Sequence, residues 1–547
     1  MKNYDLITPE GTRDLIFDEC ERLRETERKL RDLFENAGYR EITTPGLEFF
    51  DVFNSKSRGF QGEDLYKTTD DKGRVLVLRP DSTLPIARIA ATRLKNAARP
   101  LKIFYTQKVF RNNPGKRRRN DEIRQMGVEL IGEESGAADR SIVSLAIEVL
   151  GFAAKNGRRV LLEIGDIGIV SALLKKLETD EDSKETVRSL IESKNIPELV
   201  NKLRKIGTKT AEDLMLVPQM FGSIEELKKR YHHINDAETR DRIAAFLDFC
   251  GGVFDKSAGI DIHIETGFAG KITYYSGLVL RGYIEDCGEA VLSGGRYDNL
   301  LREFGGDGTA TGFMVNVDLF GAAIRNTPEK SEIRPVRIAL TKGRLEKQVT
   351  ALLENKGFDV TELRDKGRKL ILTAKSQSGT AYEFILAKSP DVITYVDSGV
   401  CDLGVVGYDM IAEHGGKFYE IFDLGIGVCK FALAGLRGMK EIFFKDYKNK
   451  TIATKYPAVA RAFFEDKGLD IDIVKIEGSV ELAPLVGLSD AIVDIVETGK
   501  TLEENGLEVY EDIVGVSARI IANRTSYKMR TNELSAFTAS LNSQEIN

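Results

Sequence analysis

Histidine is scarce in this 547-residue chain: His232, His233, His263 and His414 are the whole set. They are too few and too dispersed for a zinc site, and no set of metal ligands is expected from the protein. Cysteine is scarce too, with Cys20, Cys250, Cys287, Cys401 and Cys429 scattered and odd in number. No pair has redox or metal-ligand spacing, which excludes a disulfide framework and points to a reducing cytoplasm. No apolar run reaches about 18 residues, so nothing is expected to span a membrane. "MKNYDLITPEGTRDL" at the start has no apolar stretch of the secretory kind. A surplus of basic charge is also missing: 79 Lys and Arg stand against 85 Asp and Glu, for a net charge of -6. That balance argues against a nucleic-acid partner. One basic run, "GKRRRN" at 115–120, reads equally well as a solvated loop.

What is present is ample core material, 42% hydrophobic residues, in a length that suggests about three or four domains. "DLIFDECERLRETERKLRDLFENAG" repeats Leu23, Leu30, Leu33, Phe34 and Ala37 at helical spacing, and Gly38 closes it. "VLVLRPDSTLPIARIAATRL" reads as strand, turn and helix, and "LKIFYTQKVFR" and "QMGVELIG" as strands around a polar loop, 112–121. Residues 166–250 turn helical, with breaks near 180, 195 and 235, before strand signals return in "GIDIHIETGF", "ITYYSGLVLRGYI" and "AVLSGGRYDNLL". Strands, a helical block and strands again predict an antiparallel α+β domain with a helical insertion. The polar "RNTPEKSEIRP" (325–335) is the best linker. After it, strands and helices alternate, which predicts an α/β region with a mostly parallel sheet.

"DIVETGKT" (494–501) closes a buried strand, "DAIVDIV", and opens a short helix. Ligands of open α/β sheets gather at strand C-terminal ends. Backbone N–H groups of such a turn, with Thr498, Gly499, Lys500 and Thr501, suit a phosphate. Asp494 suits sugar hydroxyls instead, with Glu497 beside it, so a sugar phosphate is the economical ligand; a strand followed by a capped helix is the structural alternative. At this point a family comes into view. "GSVELAPLVGLSDAIVDIVETGKTLEENGL" resembles the signature of ATP phosphoribosyltransferase, and "ALTKGRL", "GRKLIL", "SPDVITYVDSGVCDLGVVGYDMI" and "TIATKYPAVARAFF" extend the resemblance over about 336–530. The resemblance implies a two-lobed, periplasmic-binding-protein-like α/β transferase. Its reaction joins N1 of ATP to C1 of phosphoribosyl pyrophosphate, the first step of histidine biosynthesis, with Mg2+ accompanying the latter substrate. By resemblance Arg344 and Arg368 stand by the charged substrates as catalytic cations, and Lys342, Asp391 and Lys455 are candidates for the nucleotide side. By resemblance the short form of that enzyme is expected, which stops soon after the catalytic part.

Residues 1–320 resemble the class II catalytic domain of histidyl-tRNA synthetase through "TPEGTRDL", "TPGLE", "LRPDSTLPIAR", "VFRNNPGKRRRNDEIRQMGVELIG", "YYSG" and "GGRYDNL". The histidine-reading positions carry over: Asp81 and Thr83 for the amino group, Arg111 and Gln125 on adjoining strands, Glu129 for the imidazole. Tyr274, Tyr275 and Tyr297 wall the ring, although each alone also fits a core position. The adenylating arginines do not carry over. "GKITYYSG" (270–277) lacks one, Leu319 stands at the motif-3 position, and Asn113 replaces an acidic residue. No anticodon-binding domain is expected after the linker. This half therefore resembles the synthetase-like regulatory subunit of the short-form transferase.

The expected architecture is a regulatory domain at 1–320, a linker at 321–335 and a catalytic domain at 336–547. ATP and phosphoribosyl pyrophosphate are its expected substrates and histidine its effector, in a dimer-based homo-oligomer, a tetramer or larger. Two rivals stay open: an enzyme that still activates histidine, and a ligand-binding protein without catalysis.

Overall fold

The computed structural model describes residues 4–54, 60, 62–112, 120–253, 259–270, 274–325, 334–446 and 448–541. The chain divides into two compact units, Met1–Glu332 and Ile333–Asn547, rather than three or four. Most of the basic run at 115–120, Asn113, and residues 271–273 of "GKITYYSG" lie outside the described residues.

The first unit is built on a nine-stranded sheet. Its order is Arg40–Glu41, Leu101–Phe110, Glu122–Ile131, Ala310–Asn316, Leu292–Arg296, Leu278–Ile284, Val160–Asp166, Asp261–Glu265 and Phe221–Gly222. All neighbours run antiparallel except the pairs formed by Arg40–Glu41 with Leu101–Phe110 and by Val160–Asp166 with Asp261–Glu265. The second parallel pair needs a crossover, and the helical insertion supplies it. Its breaks are capped as the polar residues near 180, 195 and 235 foretell: Asp180, Asn195 and Asp236 each accept from an N–H of the next helix. Helix Asp18–Asn36 buries Leu23, Leu30 and Phe34 against this sheet.

Two expectations need correction. The linker does not start at 321. Helix Val317–Arg325 runs on, because Phe320 and Ala323 are buried in the first unit's core; residues 326–333 lie outside the described residues. The second unit is not mostly parallel either. Its first sheet has the order Ile371–Lys375, Ala381–Ala387, Val336–Thr341, Leu403–Gly407, Ala518–Asn523, Phe418–Asp423, and its second Ile471–Lys475, Lys450–Thr454, Ala491–Val496, Cys429–Leu436, Leu507–Val516. Parallel pairs form only among the strands of βαβ units. The antiparallel pairs come from Ile371–Lys375 at one edge and from four strands that carry the chain between the lobes. The chain leaves the first lobe after Asp423 and returns through Ser517, whose hydroxyl donates to Asp423 Oδ1 at 2.8 Å. Helix Thr531–Leu541 then packs back on the first lobe, with Phe537 against Tyr382.

Candidate functional site

In the first unit, Glu129 lies on the third strand of the large sheet, opposite Ile103 on one neighbour and Gly312 on the other. It is 2% exposed. Gly312 makes the room, since a Cβ there would stand 2.0 Å from Glu129 Oε2. Thr83 donates its hydroxyl to Oε1 at 2.8 Å, and the Tyr297 hydroxyl donates to Oε2. Burial still outweighs both donors and, with the charge of Asp81 adding to it, pushes the Glu129 carboxyl up to about 8.

Asp81 stands just ahead of helix Thr83–Ala91 and accepts from the Leu84 N–H at 3.1 Å. Burial raises its carboxyl, against the pull of the Arg111 charge. Arg111 is held beside it by an Nε–H bond to the Pro80 carbonyl at 3.0 Å. The loop rests on Arg79, 5% exposed, which donates to the carbonyls of Thr44 and Lys108 at 2.8 Å and of Pro45 at 2.9 Å. Tyr274 meets Tyr297 edge-on at 6.1 Å and Tyr275 at 5.0 Å. Burial first, then the neighbouring groups, raise both the Tyr274 and Tyr275 hydroxyls, so they stay protonated donors. Gln125 is buried, and its side-chain carbonyl oxygen accepts from no described residue. An acceptor buried in this way calls for a donor.

Sequence reading missed Tyr105. It is 1% exposed and close enough to Glu129 and Asp81 for both charges to raise its hydroxyl, after burial. The signal was available: Ile103, Tyr105 and Gln107 pair with Glu129, Gly127 and Gln125, so the two-residue period puts Tyr105 on the pocket face. Leu319, by contrast, packs against the core of the unit.

In the second unit, strands Val336–Thr341, Ala381–Ala387 and Leu403–Gly407 are parallel and end on one edge of the first lobe. Lys342 and Arg344, Asp391, and Asp409 follow those ends. The parallel strands Lys450–Thr454 and Ala491–Val496 end at Lys455 and Glu497 in the second lobe. Arg344 joins the two edges: its Nη1 and Nη2 donate to Glu497 Oε2 and Oε1, both at 2.8 Å. The partners are 67% and 51% exposed, so the pair is a latch that opens easily rather than a source of stability. A second, longer contact runs from the Tyr456 hydroxyl to Asp409 Oδ2 at 3.5 Å.

Asp494 sits on strand Ala491–Val496, opposite Ala432. Burial pushes its carboxyl up to about 6; Glu481 adds to this and Lys455 opposes it. Gly499, at φ +77, turns the chain into helix Lys500–Glu504, a left-handed conformation that favours glycine. Among the described residues, the side chains of Thr498, Lys500 and Thr501 have no hydrogen-bond partner. Arg368 is exposed in the turn before strand Ile371–Lys375; Lys366 of the same turn pairs with Glu346, which draws the loop toward the start of helix Arg344–Asn355.

Glu497, Arg344, Asp494 and Lys455 are thus brought together, and Lys342 shares a turn with Arg344. Asp391 is exposed in the first turn of helix Ser389–Asp397, and its side chain bonds to none of the others. Three residues of this cleft escaped the sequence reading: Asp409, its carboxyl raised by burial, Tyr456, and Cys429, which feels Asp409, Glu497 and Arg344. Asp409 was within reach, because it stands two residues past the strand's end in "DLGVVGYDM". Among the described residues no group of three or more His, Cys, Asp or Glu side chains is placed to hold a metal ion, and no helix is long and apolar enough to cross a membrane.

Comparison with known proteins gives two matches in different parts of the chain. Residues 11–319 match the family model of histidyl-tRNA synthetase, and residues 388–543 that of ATP phosphoribosyltransferase. An ATP phosphoribosyltransferase of Clostridium kluyveri is 53% identical over 201 residues, 37% of this chain and 90% of the relative. One of Clostridium novyi is 53% identical over 210 residues, 38% of this chain and 98% of the relative. A solved structure from Bacillus halodurans C, described as an ATP phosphoribosyltransferase regulatory subunit/histidyl-tRNA synthetase, aligns with a TM-score of 0.53 at 25% identity, covering 70% of this chain and 93% of its own.

Proposed function

The chain belongs to the histidyl-tRNA synthetase family through its first unit and to the ATP phosphoribosyltransferase family through its second, and we propose from this that one polypeptide carries both the transferase and its histidine sensor. The second unit is an ATP phosphoribosyltransferase, the enzyme of the first step of histidine biosynthesis. N1 of the adenine gives its electron pair to C1 of phosphoribosyl pyrophosphate, the C1–O bond breaks, and that bond's pair leaves with pyrophosphate.

The observation that carries the site assignment is the meeting of strand ends across the cleft, fastened by Arg344 and Glu497 beside Asp494. The ribose hydroxyls lie over Asp494 and Glu497. The 5′-phosphate sits in the turn Thr498–Thr501, whose hydroxyls and Lys500 have no other engagement among the described residues. When phosphoribosyl pyrophosphate takes Glu497, Arg344 is released to the pyrophosphate, with Arg368 reaching the same leaving group. Lys342, Lys455, Asp409 and Tyr456 face the nucleotide, and Asp391 keeps only a peripheral part. N1 of adenine is itself nucleophilic, so positioning and leaving-group stabilisation do the work. Magnesium would enter with phosphoribosyl pyrophosphate, bound through that substrate's phosphates, and would supply charge neutralisation for the leaving group.

In the first unit, histidine's ammonium meets Asp81 and Thr83. Its ring stacks among Tyr274, Tyr275 and Tyr297 and bonds to Glu129, with Arg111 and Gln125 completing the pocket. Occupancy lowers transferase activity, which requires a coupling of only about 1–3 kcal/mol. The protein works as a homo-oligomer in a reducing cytoplasm, a setting supported by five cysteines that are all unpaired.

The deciding experiment is a steady-state assay of the full chain with ATP, phosphoribosyl pyrophosphate and magnesium, read as the adenine-N1 adduct, with and without histidine. Adduct formed and suppressed by histidine is expected, with suppression weakened in Glu129→Gln. No adduct would favour a binding protein. Histidine-dependent exchange of pyrophosphate into ATP would favour a surviving synthetase.

A further inference from the structure

The first unit holds a cleft of about 780 Å³ outside the histidine pocket. Helices Ile167–Lys176 and Glu181–Glu192 of the insertion form two of its walls, and Tyr275 and Ser276 close it on the sheet side. Ile167 and Leu174 give it an apolar floor. Five cationic side chains line it against three carboxylates.

The arrangement of those charges is more informative than their number. Lys184 and Arg188 lie one turn apart on one helix face. Each is set into the wall, with its carboxylate partner standing out in water: Lys184 is 19% exposed and Glu181 87%, Arg188 26% and Glu185 69%. Arg242 is fixed from behind by Asp166, with N–O distances of 2.5 and 2.9 Å. Exposed carboxylates of this kind act as replaceable counter-ions, since a surface ion pair adds little stability. A phosphate that bridges both cations makes stronger, charge-assisted bonds. The volume falls within the roughly 300–1,000 Å³ of small-molecule sites, which suits a nucleotide rather than a lone phosphate.

We propose that this cleft is a second effector site, taking a phosphorylated nucleoside whose phosphates bridge Lys184 and Arg188 and whose base lies on Leu174 and Tyr275. Tyr275 is also a wall of the histidine pocket, packed on Tyr274 at 5.0 Å. A ligand against one face of that ring therefore biases the other, and the two ligands alter each other's affinity reciprocally.

The test is calorimetric titration of the full chain with ADP. The readout is the difference in sites per chain between wild type and Lys184→Glu/Arg188→Glu, because ADP in the transferase cleft contributes equally to both and cancels. One site fewer in the variant is expected, with the same loss in Lys184→Gln/Arg188→Gln and transferase turnover unchanged in both. Equal site numbers in wild type and both variants would overturn the assignment. Inorganic tripolyphosphate should displace ADP from this site but bind more weakly. Failure to displace ADP rules out phosphate recognition, and tighter binding than ADP rules out the nucleoside. ADP should also shift histidine's Kd about fivefold or more in wild type alone; an unchanged Kd removes the role of Tyr275. The wild-type site number and turnover report separately on the transferase reading.

Discussion

If histidine binds against Glu129 as proposed, the raised carboxyl fixes where on the pH axis it binds best. Free Glu129 holds its proton up to about pH 8, while a free imidazole loses its own near pH 6.5. Between those values the free partners carry one proton together. The bound pair carries one as well, shared between carboxyl and ring, because the dry pocket tolerates neither a bare carboxylate nor a second proton. Binding is therefore pH-independent from about 6.5 to 8. Above 8 both free partners are deprotonated, so binding must take up a proton, and affinity falls about tenfold per pH unit. Below 6.5 binding must release one, and affinity falls again. A carboxyl at its ordinary value of 4.5 would move the plateau to about 4.5–6.5 and cost about tenfold by pH 7.5.

The assay is equilibrium histidine binding to the full chain and to Glu129→Gln across about pH 5–9.5. Histidine's own ammonium also titrates at the alkaline end, but equally for both proteins, so the affinity ratio isolates Glu129. That ratio should be flat from about 6.5 to 8, then fall about tenfold per unit. A ratio unchanged between pH 8 and 9.5, or a wild-type plateau centred near 5.5, refutes the reasoning. Stability supplies an independent check. A carboxyl whose folded value is raised favours folding below its unfolded value, about 4.5, and that contribution disappears as pH rises through about 8. The span is worth at most about 5 kcal/mol, so Glu129→Gln should gain on wild type by several kcal/mol between pH 5 and 8.5 in the first unit's unfolding transition.

Three further outcomes concern the transferase unit. Arg368→Ala should lower kcat about 100–1000-fold with thermal unfolding unchanged, since the side chain is exposed; near-normal turnover removes it from the leaving group. Asp494 is ionised above about pH 6, so kcat/KM for phosphoribosyl pyrophosphate should fall about tenfold per unit below that value; Asp494→Asn should cost about 10–100-fold at neutral pH and abolish the acid limb. Asp402, fully buried, receives Arg334 at 2.6 and 2.9 Å, Arg530 at 3.0 Å and the Ser526 hydroxyl at 2.8 Å. Asp402→Asn should destabilise the second unit by about 3–5 kcal/mol; a loss under about 1 kcal/mol in denaturant titration would contradict the hub.

Much of the fold was legible because it rests on short-range signals. The insertion's breaks at Asp180, Asn195 and Asp236 are N-caps, which act within three residues of sequence. Two further breaks were equally local but overlooked: Thr208 after the left-handed Gly207, and the reciprocal cap between Ser223 and Glu226. The mixed sheets of the second unit were not legible. A strand reads alike whether its neighbour is parallel or antiparallel, and the crossing strands Cys429–Leu436 and Leu507–Val516 meet partners that local pattern does not name.

The sites divide along the same line. Motif order placed Glu129, Thr83 and Tyr297 in one pocket, and the hydrogen bonds join them across 46 and 168 positions. What motifs do not carry is competition between the residues they name. Arg344 and Glu497 were each assigned to substrate from separate motifs, yet they lie 153 positions apart in sequence and are each other's partner. A bidentate pair at 2.8 Å satisfies both groups, so neither is a free contact waiting for phosphate. Phosphoribosyl pyrophosphate suits this lock because it offers hydroxyls to the carboxylate and pyrophosphate to the guanidinium at once. A ligand with only one of those groups would leave the other partner to water and gain one set of contacts fewer. Because the pair is exposed and opens at little cost, selectivity under the proposed placement rests on the contacts a ligand makes with both partners, and only the folded chain reveals that the two stand together.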